Sequence, residues 1–236
     1  MSSHPRRNPR LQERDYDLLD HVMRYRVTTP QILHQLFFAD CDRNAVTKVT
    51  SRLCDHDFLE SHPLYGSNSY FTLGKAGARL FGLAARRLGA LGPIALYRDF
   101  GVLMFCARTG ARREKLRVSE IAKRFPQILV RGVDSSHYYL DSENDTVRLG
   151  HIWVEGGGTT EHIVRSVKQD IIEPRRSVPA LLDYIDKGRF VVAVVTMTAE
   201  KRDQIAGALN TLPTSVLFRV EHVPELIQLL PGARNV

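Results

Sequence analysis

The order of short segments in the first 85 residues limits the fold more than any other feature of the sequence. Apolar residues recur at helical spacing between Arg10 and Tyr25, which predicts a first amphipathic helix. Thr29 followed by Pro30 predicts the start of a second helix, because Thr caps helix N-termini and Pro suits the first helical position. We expect the inward-facing residues of these two helices to be Leu11, Tyr16, Leu18, Leu19, Val22, Met23, Ile32, Leu33, Leu36 and Phe37.

The stretch from Asp42 to Phe58 predicts a third helix with one apolar face. Asp42 or Asn44 can cap its N-terminus. The apolar positions are Ala45, Val46, Val49 and Leu53. Small hydroxyls and spaced basic residues lie mostly on other faces, at Thr47, Lys48, Thr50, Ser51 and Arg52. An ordinary amphipathic helix with a solvated face would show the same pattern, so the helix alone does not identify a function.

Two extended runs follow, Leu59–His62 and Tyr70–Leu73, and they flank a turn rich in Gly, Ser and Asn. This arrangement predicts a β-hairpin, after which helical spacing resumes as far as Phe81. Three helices, a hairpin and a fourth helix, in that order, predict a winged helix-turn-helix over residues 10–85.

The remaining sequence predicts a basic arm, a linker and a second domain. Residues 1–9 lack apolar periodicity, and residues 86–94 are rich in Gly and Pro. In residues 95–236 we expect an α/β domain with a mixed sheet and helices on its faces, which gives an α+β protein of two domains. Helices are expected at 95–107, 114–125 with Ser119 as cap, 159–172, 180–187, 199–209 and 224–230, and strands at 137–141, 147–155, 190–197 and 215–220.

The composition favours a polyanionic partner and argues against a membrane protein. The formal net charge is +7, and the isoelectric point is about 9.5. The longest apolar runs are far too short to span a bilayer, so we expect a cytoplasmic protein. Three cysteines form no even disulfide framework, which predicts free thiols. Four residues considered as a metal site have no zincin spacing, so we expect them to be dispersed; they are His137, His151, Glu161 and His162.

Three segments of the first domain carry motifs of a known family. They are RDYDLLDHVMRYRVTTPQILHQLFF, AVTKVTSRLCDHDFLE and YFTLGKAGARLFG. They resemble the replication-relaxation family, whose motifs are R-D-x-x-(I/L)-L, T-x-x-Q-(I/L), R-L-x-x-x-(G/D)-(F/L)-(L/I) and Y-x-L-(T/G)-x-x-G. The resemblance covers roughly residues 10–85. It implies DNA binding linked to a plasmid or mobile element, in replication, mobilisation or control of transcription.

The hypothesis that the first domain binds DNA assigns roles to ten side chains. Lys and Arg would contact phosphates, while short polar side chains would reach base edges in the major groove. On this reading, alanine at both Lys48 and Arg52 would weaken DNA binding without unfolding the protein. The expected contact residues are Arg43, Asn44, Thr47, Lys48, Thr50, Ser51, Arg52, Ser67, Asn68 and Lys75.

Two carboxylates in the second domain suggest a second chemistry. Asp141 ends one predicted strand and Glu155 ends the next, and the domain resembles nucleases of the PD-(D/E)-x-K class, which hold Mg²⁺ between an Asp and a Glu. Leu140 precedes Asp141 where the motif has Pro, Gly157 stands where Lys is expected, and Lys168 lies farther along the next helix. We therefore expect a nuclease-type fold without activity, metal or cofactor, with Mg²⁺ needed only if these residues were catalytic.

The sequence leaves three functions open. The first is a sequence-specific double-stranded DNA-binding protein, nucleoid-associated and homodimeric, whose second domain is a scaffold. The second is a Mg²⁺-dependent nuclease that uses Asp141, Glu155 and Lys168. The third is a protein–protein adaptor whose winged helix does not contact DNA.

Overall fold

The computed structural model describes residues 10–84, 88–108, 110–142 and 146–230. The predicted arm at 1–9, residue 85 at the end of the predicted first domain, residues 86 and 87 of the predicted linker, and residues 143–145 between two predicted strands lie outside these ranges. The chain divides into two compact units with a boundary between Phe100 and Gly101, and the chain from Leu229 is grouped with the first unit. The overall class is mixed α and β with two sheets, one antiparallel and one mixed.

The first unit contains three helices, a hairpin, a short helix and the start of a longer one. Its helices and strands are α1 (Glu13–Tyr25), α2 (Pro30–Phe37), α3 (Arg43–Asp55), β1 (Leu59–Pro63), β2 (Ser69–Leu73), α4 (Lys75–Leu80) and α5 (Pro93–Cys106), and α5 continues into the second unit. This order confirms the predicted sequence of helices and hairpin.

Side-chain caps fix where the helices of the first unit begin. Thr29 accepts a hydrogen bond from the Ile32 amide, and Pro30 follows as the first residue of α2, as predicted. The Asp42 carboxylate accepts from the Asn44 amide, which makes Asp42 rather than Asn44 the cap of α3. Each cap satisfies a backbone donor that has no partner within its own helix.

The hairpin is joined by the segment between α1 and α2. β1 and β2 are antiparallel, with Leu59 opposite Leu73 and Pro63 opposite Ser69. Thr28 and Phe71 exchange two backbone hydrogen bonds, of 3.1 and 2.9 Å, so the residue after Val27 extends the hairpin on its other side. This bridge ties the first two helices to the hairpin.

One apolar core holds the first unit together. Its buried residues are Leu18, Leu19, Val22, Leu33, Phe38, Val46, Val49, Leu53, Phe58, Leu59, Phe71 and Leu73. Two predicted core residues lie at the surface instead, since Tyr16 is 47% exposed and Leu36 is 44% exposed. Their helices present narrower apolar faces than the sequence predicted.

The second unit is built around a five-stranded sheet. After α5 it contains β3 (Arg113–Lys115), α6 (Val118–Arg124), β4 (Tyr138–Asp141), β5 (Arg148–Val154), α7 (Thr160–Ser166), α8 (Glu173–Arg176), α9 (Pro179–Asp186), β6 (Phe190–Thr196), α10 (Ala199–Leu209) and β7 (Leu217–His222). Short 3₁₀ segments occur at Pro126–Ile128 and Pro224–Leu229. Within the described ranges no helix has the length and apolar character needed to span a bilayer.

The strand order of the sheet is β3-β4-β5-β6-β7. The first three strands are antiparallel and the last three are parallel, so the sheet is mixed as predicted. β3 was not predicted, because the expected helix at 114–125 includes Glu114 and Lys115. Helix α6 begins at Val118. The backbone amide of Arg117, the residue before it, donates to the Glu120 carboxylate. Ser119 therefore lies inside the helix and does not cap it.

The predicted helix at 159–172 is divided into two pieces, and a further short helix follows it. α7 begins with Thr159 as its cap, a π-helical segment spans Val167–Ile172, and α8 follows. Pro174 has no N–H to donate to a carbonyl in the preceding turn, and a widened turn accommodates the missing bond. The helical course is therefore close to the expected one, but its geometry is not uniform.

The two faces of the sheet differ in chemistry. One face packs against helices through a largely apolar layer that includes Tyr138, Leu140, Leu149, Phe190, Val192, Val194, Ile163, Leu181, Ile205 and Leu209. On the other face, a Cβ atom at Gly101 of α5 would lie 2.7 Å from Val154, so α5 approaches the sheet closely. Tyr139 lies on this second face with its ring directly over Gly150, the residue opposite it on β5.

Replacement of Gly150 by alanine tests this close packing. A Cβ atom there would lie 2.1 Å from Tyr139, so we expect Gly150→Ala to lower the free energy of unfolding of the second unit by about 1–3 kcal/mol. Trp153, the single Trp of the chain, lies on the same strand and reports urea unfolding of this unit by its fluorescence.

Gly207→Ala is the matched control for this substitution. Gly207 is exposed within α10, and its Cβ would meet no atom within 4 Å. Alanine there should raise the free energy of unfolding by roughly 0.5–1 kcal/mol, because Gly weakens a helix interior. Equal effects of the two substitutions would contradict the packing described for Gly150.

Candidate nucleic-acid interface and nuclease site

Four of the predicted contact residues share one exposed face of α3. Asn44, Thr47, Lys48 and Ser51 are all exposed. At 3.6 residues per turn they fall within an arc of about 100° around the helix. We call this group the outer stripe. It presents one amide, two hydroxyls and one ammonium group to solvent.

The opposite face of α3 fixes the orientation of the outer stripe. Val46, Val49 and Leu53 are buried in the core of the first unit, as the sequence predicted. Because these residues lie across the helix from the stripe, α3 cannot rotate without exposing them. The stripe therefore occupies a defined position on the surface of the unit.

Thr50 is not available for contact with a ligand. It is buried, and its hydroxyl donates to the carbonyl oxygens of Val46 and Thr47 at 2.9 and 3.2 Å. The expectation that Thr50 contacts DNA is wrong for this reason. A hydroxyl in a helix often bonds to the preceding turn, and this one lies at the edge of the apolar face.

Arg52 has a structural partner within the first unit. Its guanidinium donates to Asp15 of α1 at 2.7 Å, and the Asp15 side chain is completely buried. The other oxygen of Asp15 accepts from the Gln12 amide at 2.8 Å, at the start of α1. Arg52 thus joins α3 to the N-terminal end of α1, while its side chain is 33% exposed.

Acidic side chains flank the outer stripe. Asp40 and Asp42 lie exposed before the helix, and Asp55 lies exposed at its last residue. The side-chain amide of Asn44 donates a hydrogen bond to the Asp42 carboxylate at 3.4 Å. Any polyanion approaching α3 would therefore contact the basic groups between these ends, which are Arg43 and Lys48.

The residues of the hairpin region that were expected to contact DNA lie in two separate places. Ser67 is exposed and Asn68 is half-buried in the turn between β1 and β2, which we call the hairpin tip and which spans residues 64–68. The backbone of Asn68 closes this turn by hydrogen bonds to Leu64 and Tyr65. Lys75 follows the other end of β2, near Leu73. At 3.3 Å per residue, Leu73 is about 13 Å from Ser69, the residue of β2 that adjoins the hairpin tip. Lys75 is therefore at the base of the hairpin, not beside its tip.

A buried histidine lies beneath the helices of the first unit. The His21 Nε2 atom lies 3.2 Å from the Thr28 hydroxyl, and its ring contacts Tyr25 and Phe37. Burial, with a smaller contribution from the charge of Arg24, lowers the pKa of His21 to about 4. The imidazole is therefore neutral at neutral pH.

The structure does not bring together Asp141, Glu155 and Lys168. Asp141 is opposite Arg148 on the antiparallel strand β5, and Glu155 follows the far end of that strand. Seven residues of strand separate the two positions, a distance of roughly 23 Å. Neighbouring antiparallel strands run in opposite directions, so their C-terminal ends lie at opposite ends of the strand pair. The predicted metal-binding pair therefore does not form.

Each of these three residues has its own ion pair instead. Asp141 is buried and lies 3.0 Å from Arg219 of β7. Glu155 is buried and accepts hydrogen bonds from the Gly157 amide at 2.8 Å and from Lys201 of α10 at 3.2 Å. Lys168 is exposed and lies 4.0 Å from Glu173. Sequence reasoning missed Arg219 and Lys201, because their roles depend on which strand and helix lie next to one another.

A further charged network occupies the sheet face that Tyr139 shares. Arg113 of β3 and Arg108 both form ion pairs with Glu221 of β7. Burial alone would raise the pKa of Glu221, but its hydrogen bonds and ion pairs with the two arginines hold it below its usual value. The guanidinium of Arg113 also stacks on Phe105 at 4.1 Å. These groups connect the two edge strands of the sheet across its face.

Two histidines expected to be dispersed lie together. The rings of His137 and His151 are 6.1 Å apart, because the pairing of β4 with β5 puts Tyr138 opposite His151. Burial lowers the pKa of His151 to about 4, against the opposing effect of Asp134. Glu161 and His162 are exposed on α7. The prediction of dispersed histidines is therefore wrong for His137 and His151.

Comparisons of the chain with protein-family models, with curated proteins and with solved structures find no match. A functional assignment therefore rests on the side chains of this chain and on their geometry. The resemblance in the first domain stays a prediction.

The Asp15–Arg52 pair predicts separate effects for two basic residues of α3. Arg52→Ala should lower the stability of the first unit by about 1–3 kcal/mol, because the buried Asp15 carboxylate loses a charged partner. Lys48→Ala, at an exposed position of the same helix, should change stability by less than about 0.5 kcal/mol. Hydrogen exchange of amides in α1 and α3 measures both effects. Equal protection in the two variants would contradict a structural role for Arg52.

His21 predicts that the first unit loses stability in mild acid. The pKa of His21 is about 4 in the folded chain and about 6.5 in the unfolded chain, so the unfolded chain binds more protons between these values. Stability therefore falls as pH decreases through this window. The expected loss from pH 7 to pH 5 is on the order of 2 kcal/mol. Hydrogen exchange at the two pH values should show this loss, and His21→Gln should reduce it. An unchanged pH dependence in His21→Gln would assign the effect to other groups.

Proposed function

We propose that the protein binds double-stranded DNA, with the outer stripe of α3 in the major groove. The observation that carries the proposal is the exposure of Asn44, Thr47, Lys48 and Ser51 on one face of the third helix. An α-helix fits the major groove, and short amide and hydroxyl side chains can exchange hydrogen bonds with base edges there. On this proposal Asn44, Thr47 and Ser51 contact bases, and Lys48 contacts phosphate.

The arrangement around α3 supports the same proposal. Three helices precede an antiparallel hairpin, and Thr28 extends the hairpin by a further bridge. We interpret this unit as a winged helix-turn-helix, with the hairpin as its wing. Ser67 and Asn68 at the hairpin tip would then approach the backbone beside the groove, and Arg43 would contact phosphate near the first turn of α3. Lys75, at the base of the hairpin, has no contact in this proposal.

The charge of the chain supports a polyanionic partner. The net charge is +7, and Lys48 and Arg43 lie on or beside the outer stripe. The acidic residues at the two ends of α3 limit how far along the helix DNA can lie. We infer that the contact covers the first two-thirds of α3, between Asp42 and Ser51.

We propose that the second unit is a scaffold of nuclease type without nuclease activity. Asp141 and Glu155 lie at opposite ends of the strand pair β4–β5, and each forms an ion pair with a basic partner. A Mg²⁺ site needs several oxygen ligands around one point, and this pair cannot supply them. The unit would instead hold two copies of the chain on a two-fold DNA site.

The biological setting is proposed from resemblance alone. The motifs shared with the replication-relaxation family favour action on plasmid or mobile-element DNA, in transcription control or in replication and mobilisation. A DNA-bound protein of this kind would be associated with the nucleoid.

A titration of fluorescent duplex DNA, followed by anisotropy at several salt concentrations, tests the proposed interface. Affinity should fall steeply with salt, because basic side chains displace counterions from phosphates. Lys48→Ala should weaken binding by about 1 kcal/mol, or roughly fivefold, and should reduce the salt slope by about one.

Lys168→Ala is the matched control, since it removes an exposed lysine from the second unit. It should leave both the affinity and the salt slope unchanged. Absence of binding to any duplex at low salt would favour the adaptor function. An effect of Lys168→Ala equal to that of Lys48→Ala would move the interface away from α3.

A further inference from the structure

Three side chains with metal-ligating atoms converge beside the start of β4. They are Asp134, His137 and His151, and one ligating atom of each lies within 4.8 Å of the other two. The Asp134 Oδ2 atom is 3.6 Å from the His151 Nε2 atom. Ligands bound to one zinc ion at about 2.0–2.2 Å lie about 3–3.5 Å apart, so small side-chain rotations would complete such a site.

Regular structure holds the two imidazoles in place. His151 lies within β5, and His137 is the residue before β4. The His137 carbonyl accepts a hydrogen bond from the Ile152 amide at 2.9 Å, so both histidines are fixed by the strand pair. Ligands on paired strands keep their spacing better than ligands on a loop.

The Asp134 carboxylate is also oriented by its neighbours. Ser136 donates two hydrogen bonds to Asp134 Oδ1, from its amide at 2.9 Å and from its hydroxyl at 2.7 Å. The buried Arg175 guanidinium donates to the Asp134 backbone carbonyl at 2.7 Å. These contacts leave Oδ2 directed toward His151. Outer contacts of this kind orient the ligands of metal sites in proteins.

His151 supplies an independent indication of a ligand. Its side chain is 4% exposed, its Nε2 atom faces Asp134 Oδ2 at 3.6 Å, and its Nδ1 atom has no hydrogen-bond partner within the described part of the chain. A buried polar atom without a partner costs free energy, and a bound cation would recover it. The Asp134 side chain is 56% exposed, so a cation can reach its carboxylate from solvent.

We propose that Asp134, His137 and His151 bind one divalent transition-metal ion, with zinc as the best match. Two imidazoles and one carboxylate suit zinc and its neighbours, whereas Mg²⁺ and Ca²⁺ prefer oxygen ligands alone. Three protein ligands leave a coordination position open toward solvent. The charge of Arg175 opposes a cation, so binding is weaker than at a structural zinc site. This site is separate from the proposed DNA interface.

Isothermal titration of the full chain, free of any affinity tag, with zinc chloride tests the site. One zinc ion per chain should bind, and a chelator should remove it. Asp134→Asn and His137→Gln should each weaken zinc binding at least tenfold, with unchanged circular dichroism. The two substitutions keep side-chain size, and Asp134 is exposed, so folding should be preserved.

His162→Gln is the matched control, because His162 is exposed on α7 and is not among the three ligands. It should bind zinc as the unchanged chain does. Zinc should also raise the melting temperature of the unchanged chain and of His162→Gln, but not that of the two ligand variants. The proposal is overturned if no zinc binds, if the two ligand variants bind normally, or if His162→Gln loses binding.

Discussion

The buried apolar face of the third helix and the ion pair between Asp15 and Arg52 together determine which face of that helix points outward. Asp15 is buried at the start of α1 and also accepts a hydrogen bond from the Gln12 amide. Arg52 reaches it from α3 and fixes the rotation of that helix together with Val49 and Leu53. With the helix held in this way, the outer stripe, together with Arg43 beside it, faces solvent, where a partner can reach it.

Local signals in the sequence predicted most of the fold. Thr29 and Pro30 at the start of α2, and the run of β-branched residues in β6, each act on neighbouring residues alone. Because these signals act only between neighbouring residues, they do not predict features that depend on contacts between distant segments, and the wrong predictions are of this kind. β3 has three residues and no periodicity of its own, and it exists because β4 lies next to it. Leu36 was expected in the core, but its exposure depends on how α2 packs against the rest of the unit.

The candidate sites were harder to predict than the fold, because they depend on strand register and on distant partners. Asp141 and Glu155 each end a strand in sequence, but antiparallel pairing separates them. The same pairing brings His137 close to His151, which lie 14 residues apart in the chain. On α3, helical spacing correctly predicted exposed positions such as Thr47 and Lys48. It could not predict that Arg52 would pair with a residue of α1.

The central claim is that duplex DNA contacts the outer stripe of α3. The most direct measurement is the change in backbone amide NMR shifts when a short duplex is added to the full chain. We expect the shifts to be concentrated at Asn44, Thr47, Lys48 and Ser51, and at the hairpin tip. Shifts confined to the second unit, with α3 unaffected at saturating DNA, would contradict it.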